Sequence, residues 1–347
     1  MTDKTAASRQ PYRLCVAPML DWTDRHYRYF ARLLSRHTLL YSEMITAAAL
    51  RHGDASRLLA FDEREKPLAL QLGGSDPTLM ADAARLGAAQ GYDEINLNVG
   101  CPSPRVSQGR FGACLMLEPE LVAECVAAMQ AAVDVPVTVK TRLGVDHQDS
   151  YEFLCRFVAT VAQTGCGRFI IHARKAWLEG LSPKQNREIP PLRYEWVYAL
   201  KQAFPQLDII LNGGVQNLEQ AESHLRQVDG VMIGRAAYHD PYLLAQADGR
   251  IYGDEHPIPE RAEIVERLLP YIAEQQAQGT RLHSITRHML GLFHNQAGGR
   301  IWRRHLSTHG VRAGADGRVL KAALTLAASV KNLSQPLPGE SGPEYTI

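Results

Sequence analysis

The sequence predicts an α/β protein built as a TIM (β/α)8 barrel, followed by a small all-helical domain. Eight short apolar or β-branched runs recur along the first 235 residues, and each run ends in polar residues or glycine. Segments of helical character lie between the runs, and strands that alternate with helices form parallel sheets with right-handed crossovers. Because the runs are almost continuously apolar, we expect both faces of the sheet to be covered. Eight such units in about 240 residues match the size of a TIM barrel.

The predicted elements can be placed along the chain. The eight strands are Leu14–Met19, Leu39–Met44, Leu68–Gly74, Glu94–Cys101, Pro136–Leu143, Arg168–Arg174, Asp208–Gly214 and Gly230–Arg235. The intervening helices include Asp76–Gln90, Glu118–Val133, Ser150–Thr164 and Asn217–Gln227, several of which begin with capping residues. An open doubly wound sheet is the alternative, but it is expected to carry a GxGxxG turn after its first strand. The sequence there is Val16-Ala-Pro-Met-Leu-Asp, so the barrel is favoured.

The pattern becomes purely helical towards the C-terminus. Asp254–Pro259 contains prolines and is interpreted as a linker. Beyond it, apolar residues recur at helical spacing in Ile264–Ile272, Leu282–Phe293 and Ile301–Val330. We therefore predict a barrel domain at residues 12–250 and a helical domain at residues 260–333. The remaining ends, 1–11 and 334–347, are predicted to be a disordered tail and a flexible tail.

The composition is that of a folded protein, with 45% of the 347 residues hydrophobic and 22% charged. No run of about 18 apolar residues occurs, so no membrane span is predicted. Met1–Gln10 lacks the apolar core of a secretory signal. The six cysteines form neither a CxxC pair nor a metal-ligand spacing, so we expect no metal. They fit a reducing cytoplasm better than a disulfide scaffold.

Charge is unevenly distributed along the chain. The formal net charge is +1, which by itself argues against a strongly basic nucleic-acid binder. Between Arg281 and Lys331, however, nine basic residues accompany one acid, Asp316, so this segment carries +8 and the remainder −7. Such asymmetry indicates an anionic partner, with a solvated helical surface as the alternative.

Polar side chains cluster at the C-terminal ends of the predicted strands, where a TIM barrel builds its active site. They include Gln71, Asn98, Cys101, Lys140 and His172. Packing does not explain so many polar groups at one barrel mouth. Lys140 is either a structural lysine or the partner of a bound anion or electron-rich ring, since an unpaired buried lysine is costly.

The last two strands predict a phosphate site. They end in Asn212-Gly213-Gly214 and in Gly234-Arg235. Glycines let the backbone approach an anion, and a helix N-terminus presents free N–H groups to it. TIM barrels bind phosphate after strands 7 and 8. Ordinary left-handed turns account for the glycines, but not for their location or for Arg235.

Cys101 is a candidate proton donor. A cysteine within a strand is more often a small core residue. This one lies past the strand end, between Gly100 and Pro102, in a loop that the proline stiffens. An ordinary thiol is largely protonated at neutral pH and can act as a general acid. The other five cysteines are interpreted as structural.

Together these strings resemble the tRNA-dihydrouridine synthases. The shared elements are Ala17-Pro-Met, Gln71-Leu-Gly-Gly, Asn96-Leu-Asn-Val-Gly-Cys-Pro, Val139-Lys-Thr-Arg, Ile171-His-Ala-Arg, Asn212-Gly-Gly and Ile233-Gly-Arg. Further strings are similar to the A subfamily: Pro18-Met-Leu-Asp-Trp-Thr-Asp-Arg-His, Ala173-Arg-Lys-Ala-Trp-Leu and Asn186-Arg-Glu-Ile-Pro-Pro-Leu. The similarity continues into the helical region at Thr286-Arg-His-Met-Leu-Gly-Leu-Phe and Ile301-Trp-Arg-Arg.

The resemblance implies an FMN enzyme that reduces uridine in the tRNA D-loop, at positions 20 and 20a, with NADPH as reductant. Residues against the flavin, or hydrogen-bonded to its ring or ribityl chain, would be Ala17, Pro18, Met19, Gln71, Lys140 and His172. The FMN phosphate would be held by Asn212, Gly213, Gly214, Gly234 and Arg235. Contacts to tRNA would come from Asn98, Lys184, Arg187, Arg300 and Arg303.

The resemblance also implies a mechanism. Hydride would pass from flavin N5 to C6 of uracil, and Cys101 would protonate C5 from the opposite face. The uridine must leave its stack to reach a barrel mouth. No dinucleotide fingerprint is present, so NADPH is expected to visit the flavin transiently. We expect a cytoplasmic monomer.

Two other functions compete with this one. An FMN barrel acting on a small molecule would have a similar site at strands 7 and 8, but it does not account for a separate helical segment of charge +8. A non-catalytic tRNA-binding barrel would have no use for Cys101 or Lys140.

Overall fold

The structure of the protein is a computed structural model that describes residues 10–333. Within these residues eight parallel strands form a closed barrel in sequence order, and the eighth strand pairs with the first. The strands are β1 (Leu14–Val16), β2 (Leu39–Thr46), β3 (Leu68–Gly73), β4 (Glu94–Val99), β5 (Val137–Arg142), β6 (Arg168–His172), β7 (Asp208–Asn212) and β8 (Gly230–Ile233). The predicted TIM barrel, with a helical region after it, is confirmed.

Helices connect the strands and form the C-terminal region. Those before residue 258 are α1 (Arg25–Leu34), α2 (Ala47–His52), α3 (Ala55–Leu58), α4 (Pro77–Gln90), α5 (Pro104–Gln108), α6 (Pro119–Gln130), α7 (Tyr151–Ala162), α8 (Tyr194–Ala203), α9 (Leu218–His224), α10 (Arg235–His239) and α11 (Ala247–Tyr252). Those after it are α12 (Arg261–Ala277), α13 (Leu282–Thr286), α14 (Gly299–His309) and α15 (Arg318–Leu333). Short 3-10 helices cover Pro11–Arg13, Glu63–Glu65, Gly112–Leu117, Gln185–Arg187, Pro241–Gln246 and Arg287–Met289.

All eight predicted strands exist, but most are shorter at their C-terminal ends than predicted. β1 ends at Val16 and β8 at Ile233, before the Pro and Gly residues that the prediction included. Gly213, just after β7, has a φ of +111°, which an extended strand does not allow. The polar residues after the strands therefore leave the ladder and form loops at the barrel mouth.

The predicted helix starts are confirmed by their caps. The side chain of Asp76 accepts a hydrogen bond from Leu79 N–H at the start of α4. Ser150 caps α7, and Asn217 caps α9 in the same manner. These side chains satisfy backbone donors that have no partner within the helix, which fixes where each helix begins.

A buried polar cluster lies inside the barrel, towards the N-terminal ends of the strands. Glu94 accepts hydrogen bonds from Tyr41, Thr138 and Arg168, each at 2.7 Å. The guanidinium of Arg168 also lies 3.7 Å from the centre of the Tyr12 ring. Because both carboxylate oxygens of Glu94 are bonded, the charge is compensated at this depth.

The chain divides into two compact units between Ile258 and Pro259. In the second unit the predicted face at Ile264–Ile272 is buried. The helical period predicted through Phe293 was wrong, because α13 ends at Thr286 and a 3-10 turn follows it. Asn295 and Gly298 then adopt positive φ values of 53° and 80°, which do not continue a right-handed helix.

The predicted tails lie almost wholly outside the described residues. Of residues 1–11 the structure describes Gln10 and Pro11, and Pro11 begins a 3-10 turn; residues 334–347 are not described. Among residues 10–333, no helix is both long enough and apolar enough to cross a membrane.

One group among the described residues has side chains of metal-ligand type, namely His37, Asp248 and Asp254. His37 Nε2 lies 2.8 Å from Asp254 Oδ2, and Ser35 Oγ donates to Asp248 at 2.6 Å. These contacts tie α11 and the segment after it to the loop before β2, far along the strands from the mouth.

Candidate active site

The strand ends bring most of the predicted site residues to one mouth of the barrel. Asn98 on β4 is in register with Lys140 on β5, and His172 on β6 is in register with Asn212 on β7. Lys140 Nζ donates to Asn212 Oδ1 at 3.0 Å. On the other side of the mouth, Ala17 N–H donates to the Ile233 carbonyl at 2.9 Å, which joins the ends of β1 and β8.

A chain of amide hydrogen bonds runs through the barrel interior to this mouth. Asn96 Nδ2 donates to Thr138 Oγ1, Gln71 Nε2 donates to Asn96 Oδ1, and Asn98 Nδ2 donates to Gln71 Oε1, each at 2.8 Å. Thr138 in turn donates to Glu94. All these side chains are buried, and their mutual bonds fix each amide in one orientation.

Asn98 holds the loop that carries Cys101. Its Oδ1 accepts from Gly100 N–H at 3.1 Å and from Cys101 N–H at 2.9 Å. The Cys101 carbonyl accepts from Ala113 N–H at 2.9 Å. The cysteine backbone is therefore bonded on both sides, while the residue as a whole is partly exposed. Asn98 was predicted to contact tRNA, and the structure shows that its oxygen is committed to this loop.

The buried cysteines differ from Cys101 in environment. Burial raises the pKa of Cys125 and of Cys166 to about 12. Cys15 lies fully buried among the side chains of the barrel core, and burial raises its pKa well above the usual range. These thiols are too poorly acidic and too enclosed for proton transfer to a substrate, which agrees with the structural role predicted for them.

The mouth is rich in cations. Burial, followed by the charges of Arg142 and Lys140, holds the pKa of His172 well below its usual range, so its ring is neutral. Burial, with Arg142 beside it, lowers the pKa of Lys140 to about 7. Arg174 and Arg187 add further positive charge near His172. Within the part of the chain that the structure describes, no carboxylate pairs with Lys140 or Arg142.

The glycine turn after β7 packs tightly against the site. A Cβ on Gly213 would lie 2.5 Å from His172 Cδ2, and one on Gly214 would lie 2.6 Å from the Tyr194 hydroxyl. Tyr194 OH donates to the Gly213 carbonyl at 2.8 Å. At the end of β8, Gly234 is looser, with Ala17 Cβ and Met19 Sδ each 3.7 Å from an added Cβ.

A long loop, residues 173–193, borders the mouth after β6. It contains the predicted tRNA contacts Lys184 and Arg187, and both are exposed. Arg235, predicted to bind phosphate, forms an ion pair with Glu188 of this loop at 2.6 Å. Asn186 is fully buried and organises the loop, since its Oδ1 accepts from Trp177 N–H at 2.7 Å.

Comparison with known proteins supplies the family. The family model described as "Dihydrouridine synthase (Dus)" matches residues 15–328. The chain belongs to the dihydrouridine synthase family. It is 61% identical over 311 residues to a "tRNA-dihydrouridine(20/20a) synthase" of Synechocystis sp., covering 90% of this chain and 93% of that protein. It is also 59% identical over 317 residues to the protein of that name from Escherichia coli strain K12, covering 91% and 92%.

In this dihydrouridine synthase, Arg300 and Arg303 lie on α14 of the second unit. Both side chains are exposed, and Arg304 beside them is exposed too. Trp302, one residue before Arg303, is fully buried and donates to the Met289 carbonyl at 3.0 Å. The buried tryptophan therefore sets the rotation of the helix and leaves the arginines in solvent. Their role as tRNA contacts stays a prediction.

Four residues at the mouth of this dihydrouridine synthase are not predicted from its sequence. They are Arg142, Arg174, Asn186 and Tyr194. Arg142 and Arg174 stand two residues after the predicted site residues Lys140 and His172, and alternation along a strand puts such residues on the same face. That signal could have found the two arginines, whereas the contacts of Asn186 and Tyr194 depend on how the loop folds.

Proposed function

We propose that this dihydrouridine synthase reduces uridine to 5,6-dihydrouridine in the tRNA D-loop, at positions 20 and 20a, with bound FMN and with NADPH as reductant. The observation that carries the proposal is the identity of about three residues in five with tRNA-dihydrouridine(20/20a) synthases over nine-tenths of the chain. A cytoplasmic location and a monomeric state belong to the same proposal. The small-molecule and non-catalytic alternatives are disfavoured by this match.

The residues of the mouth fit FMN. Lys140 is a partly buried cation bonded to an amide oxygen, so an electron-rich ring edge or an anion would compensate it. Gly213 and Gly214, with φ values of +111° and +75°, let the backbone approach a ligand where a side chain would collide. An added Cβ on Gly234 would lie 3.7 Å from Ala17 Cβ and from Met19 Sδ, which is ordinary contact distance. The mouth thus offers neutral donors for a ring and cations for a phosphate.

Bound FMN, reduced by NADPH, would supply the hydride that reaches C6 of the uracil ring. The protein residues do the rest. Ala17, Pro18 and Met19 follow the end of β1, and the ring would lie against them. Gln71, Lys140 and His172 would hydrogen-bond the ring or ribityl chain, and Asn212, Gly213, Gly214, Gly234 and Arg235 would hold the phosphate. These groups align the reactants, which is the main contribution of a protein to cofactor chemistry.

Cys101 donates the proton to C5 of the uracil ring. Its backbone is bonded through Asn98 and Ala113, so the main chain that carries the thiol is held in place at the mouth. Charge that develops on the uracil carbonyl as hydride arrives would be stabilised by the nearby cations. Lys184, Arg187, Arg300 and Arg303 would hold the tRNA backbone, and such contacts position an RNA without reading its bases.

The test uses purified protein reconstituted with FMN, NADPH and an unmodified tRNA transcript. Dihydrouridine is expected at positions 20 and 20a, and replacing both uridines by cytidine is expected to abolish product. Protein that takes up no FMN, or product at other positions, would contradict the proposal.

A cysteine pair tests the proton donor. Cys101→Ala is expected to keep FMN and tRNA binding and to lose at least 100-fold in dihydrouridine formation, as loss of a general acid costs 10²–10⁴-fold. Cys155→Ala is the matched control, because Cys155 is a partly exposed thiol on α7. Equal activity of the two variants would refute the role of Cys101.

A further inference from the structure

Arg142 is a buried guanidinium that binds main-chain carbonyls. It is the last residue of β5, and its side chain is 3% exposed. Burial lowers its pKa to about 10, although the nearby Cys101 opposes the shift. Its partners are the carbonyls of Gly100 at 2.8 Å, Lys175 at 3.1 Å and Asn186 at 3.0 Å. Burying a cation that has no carboxylate partner costs free energy of folding. The presence of Arg142 here indicates that the geometry of its guanidinium is required.

The first partner belongs to the Cys101 loop. Asn98 binds the N–H groups of Gly100 and Cys101, and Ala113 N–H binds the Cys101 carbonyl. Arg142 Nε supplies the remaining bond, to the Gly100 carbonyl. Every backbone donor and acceptor of Gly100 and Cys101 is therefore hydrogen-bonded. Asn98 and Ala113 are near these two residues in the sequence, whereas Arg142 is distant from them.

The other two partners belong to the 173–193 loop. Asn186 closes this loop on itself, since its Nδ2 donates to the Trp177 carbonyl at 2.8 Å and to the Leu181 carbonyl at 3.2 Å. Arg142 Nη1 donates to the carbonyls of Lys175 and Asn186, one at each side of this closed turn. The next residue along the chain, Arg187, is one of the predicted tRNA contacts.

We propose that Arg142 is a positioning residue that holds the Cys101 loop and the 173–193 loop in one rigid arrangement, so that tRNA bound by the second loop meets the thiol of the first. The inference rests on the proposed function. A lysine cannot replace the arginine here, because an ammonium group at the end of a flexible chain lacks the planar fork that spans both loops.

The variant Arg142→Lys keeps the charge and removes the fork. Three quantities are measured: FMN affinity, the Kd for tRNA, and the rate at which iodoacetamide alkylates Cys101, read by mass spectrometry with Cys155 as internal reference. We expect the Kd to rise at least fivefold and Cys101 alkylation to accelerate at least threefold, with FMN affinity within twofold of the wild type. The kcat for dihydrouridine formation should fall while the KM for tRNA rises.

Arg174→Lys is the matched control. Arg174 is a second arginine of the mouth, and its guanidinium binds the carbonyls of Glu188 and Pro190 in the 173–193 loop. Among the described residues it has no hydrogen bond to the Cys101 loop. Its replacement is expected to leave Cys101 alkylation at the wild-type rate. A residue that only stabilised the fold would lower the unfolding temperature without changing the alkylation rate or the Kd.

A second variant covers the case in which Arg142→Lys does not fold. Asn186→Ala loosens the 173–193 loop and leaves Arg142 in place, and faster alkylation of Cys101 is again expected because the guanidinium transmits the change. Unchanged Cys101 alkylation in the variants that fold would overturn the proposal. Binding and alkylation need no turnover, so a wild-type protein that forms no dihydrouridine refutes the proposed function separately.

Discussion

Replacing Gly213 by alanine tests the glycine turn that we propose as part of the FMN site. Gly213 has a φ of +111°, and a Cβ there would lie 2.5 Å from His172 Cδ2 and 3.0 Å from His172 Nε2. Ordinary contact begins at 3.4 Å, so the ring must move by about 0.9 Å or the turn must open. The positive φ adds a strain of about 1–2 kcal/mol for an L-residue.

Both effects bear on cofactor binding. His172 is 9% exposed and packed among strand ends, so it has little room to retreat. Losing one hydrogen bond from a displaced ring costs about 1 kcal/mol, and a turn that opens loses its approach to the phosphate as well. We therefore expect Gly213→Ala to raise the Kd for FMN at least tenfold, which corresponds to about 1.4 kcal/mol.

Gly165→Ala separates backbone strain from the collision. Gly165 has a φ of +93°, and the nearest atom to an added Cβ, Gln130 Nε2, lies 3.9 Å away. It precedes β6, at the end of the barrel opposite the mouth. Gly165→Ala should lower the free energy of unfolding by about 1–2 kcal/mol, measured by urea titration, and Gly213→Ala should lower it by more, because the collision with His172 adds to the strain. FMN affinity, measured by quenching of flavin fluorescence, should fall in Gly213→Ala alone, and equal affinities would refute the reasoning.

Other groups give further predictions. Because the pKa of Lys140 is lowered to about 7, FMN binding at pH 8 should take up close to one proton; calorimetry in buffers of different ionisation heat should show this uptake in the wild type and not in Lys140→Met. FMN affinity should accordingly weaken as the pH rises above 7. Glu94→Gln should lower the free energy of unfolding by about 2 kcal/mol in a urea titration, because Arg168 loses a charged hydrogen bond at 2.7 Å and keeps Asp208 at 3.3 Å as its carboxylate partner. Arg300→Ala combined with Arg303→Ala should weaken tRNA binding and lower the slope of log Kd against log salt concentration by about 1.5. Arg226, an exposed arginine of the barrel unit, provides the control. An equal change of slope in Arg226→Ala would mean that the effect is non-specific.

The barrel could be predicted because its signals are local. Continuous apolar runs mark parallel strands, and capping side chains such as Asp76 and Asn217 mark helix starts. The C-terminal ends of the strands were predicted less well. The sequence pattern includes Gly213 in a strand, but its positive φ places it in a loop. The site residues on β3 to β7 followed from the strand ends, because parallel strands place their C-terminal ends together.

The remaining site residues depend on contacts that no local pattern specifies. Arg142 binds carbonyls that lie 33 and 44 residues away along the chain, and carbonyl acceptors exist at every residue. Asn98 shows the same limit: an amide beside a cysteine predicts a contact to substrate as well as a contact to the loop. In the structure Asn98 makes the contact to the loop, because the N–H groups of Gly100 and Cys101 both donate to its Oδ1.

The partners of the cations explain how an acidic barrel can attract a polyanion. Away from the mouth, carboxylates neutralise buried arginines, as Glu65 does for Arg28 at 2.7 Å. At the mouth, Lys140 and Arg142 bind only neutral amide and carbonyl oxygens among the described residues, so their charge is not cancelled. A low-dielectric cleft lined by one sign of charge focuses the field outward. The charge available at the mouth therefore depends on whether each cation contacts a carboxylate or a neutral oxygen. The net charge of the unit averages over paired groups and does not predict the charge of the ligand.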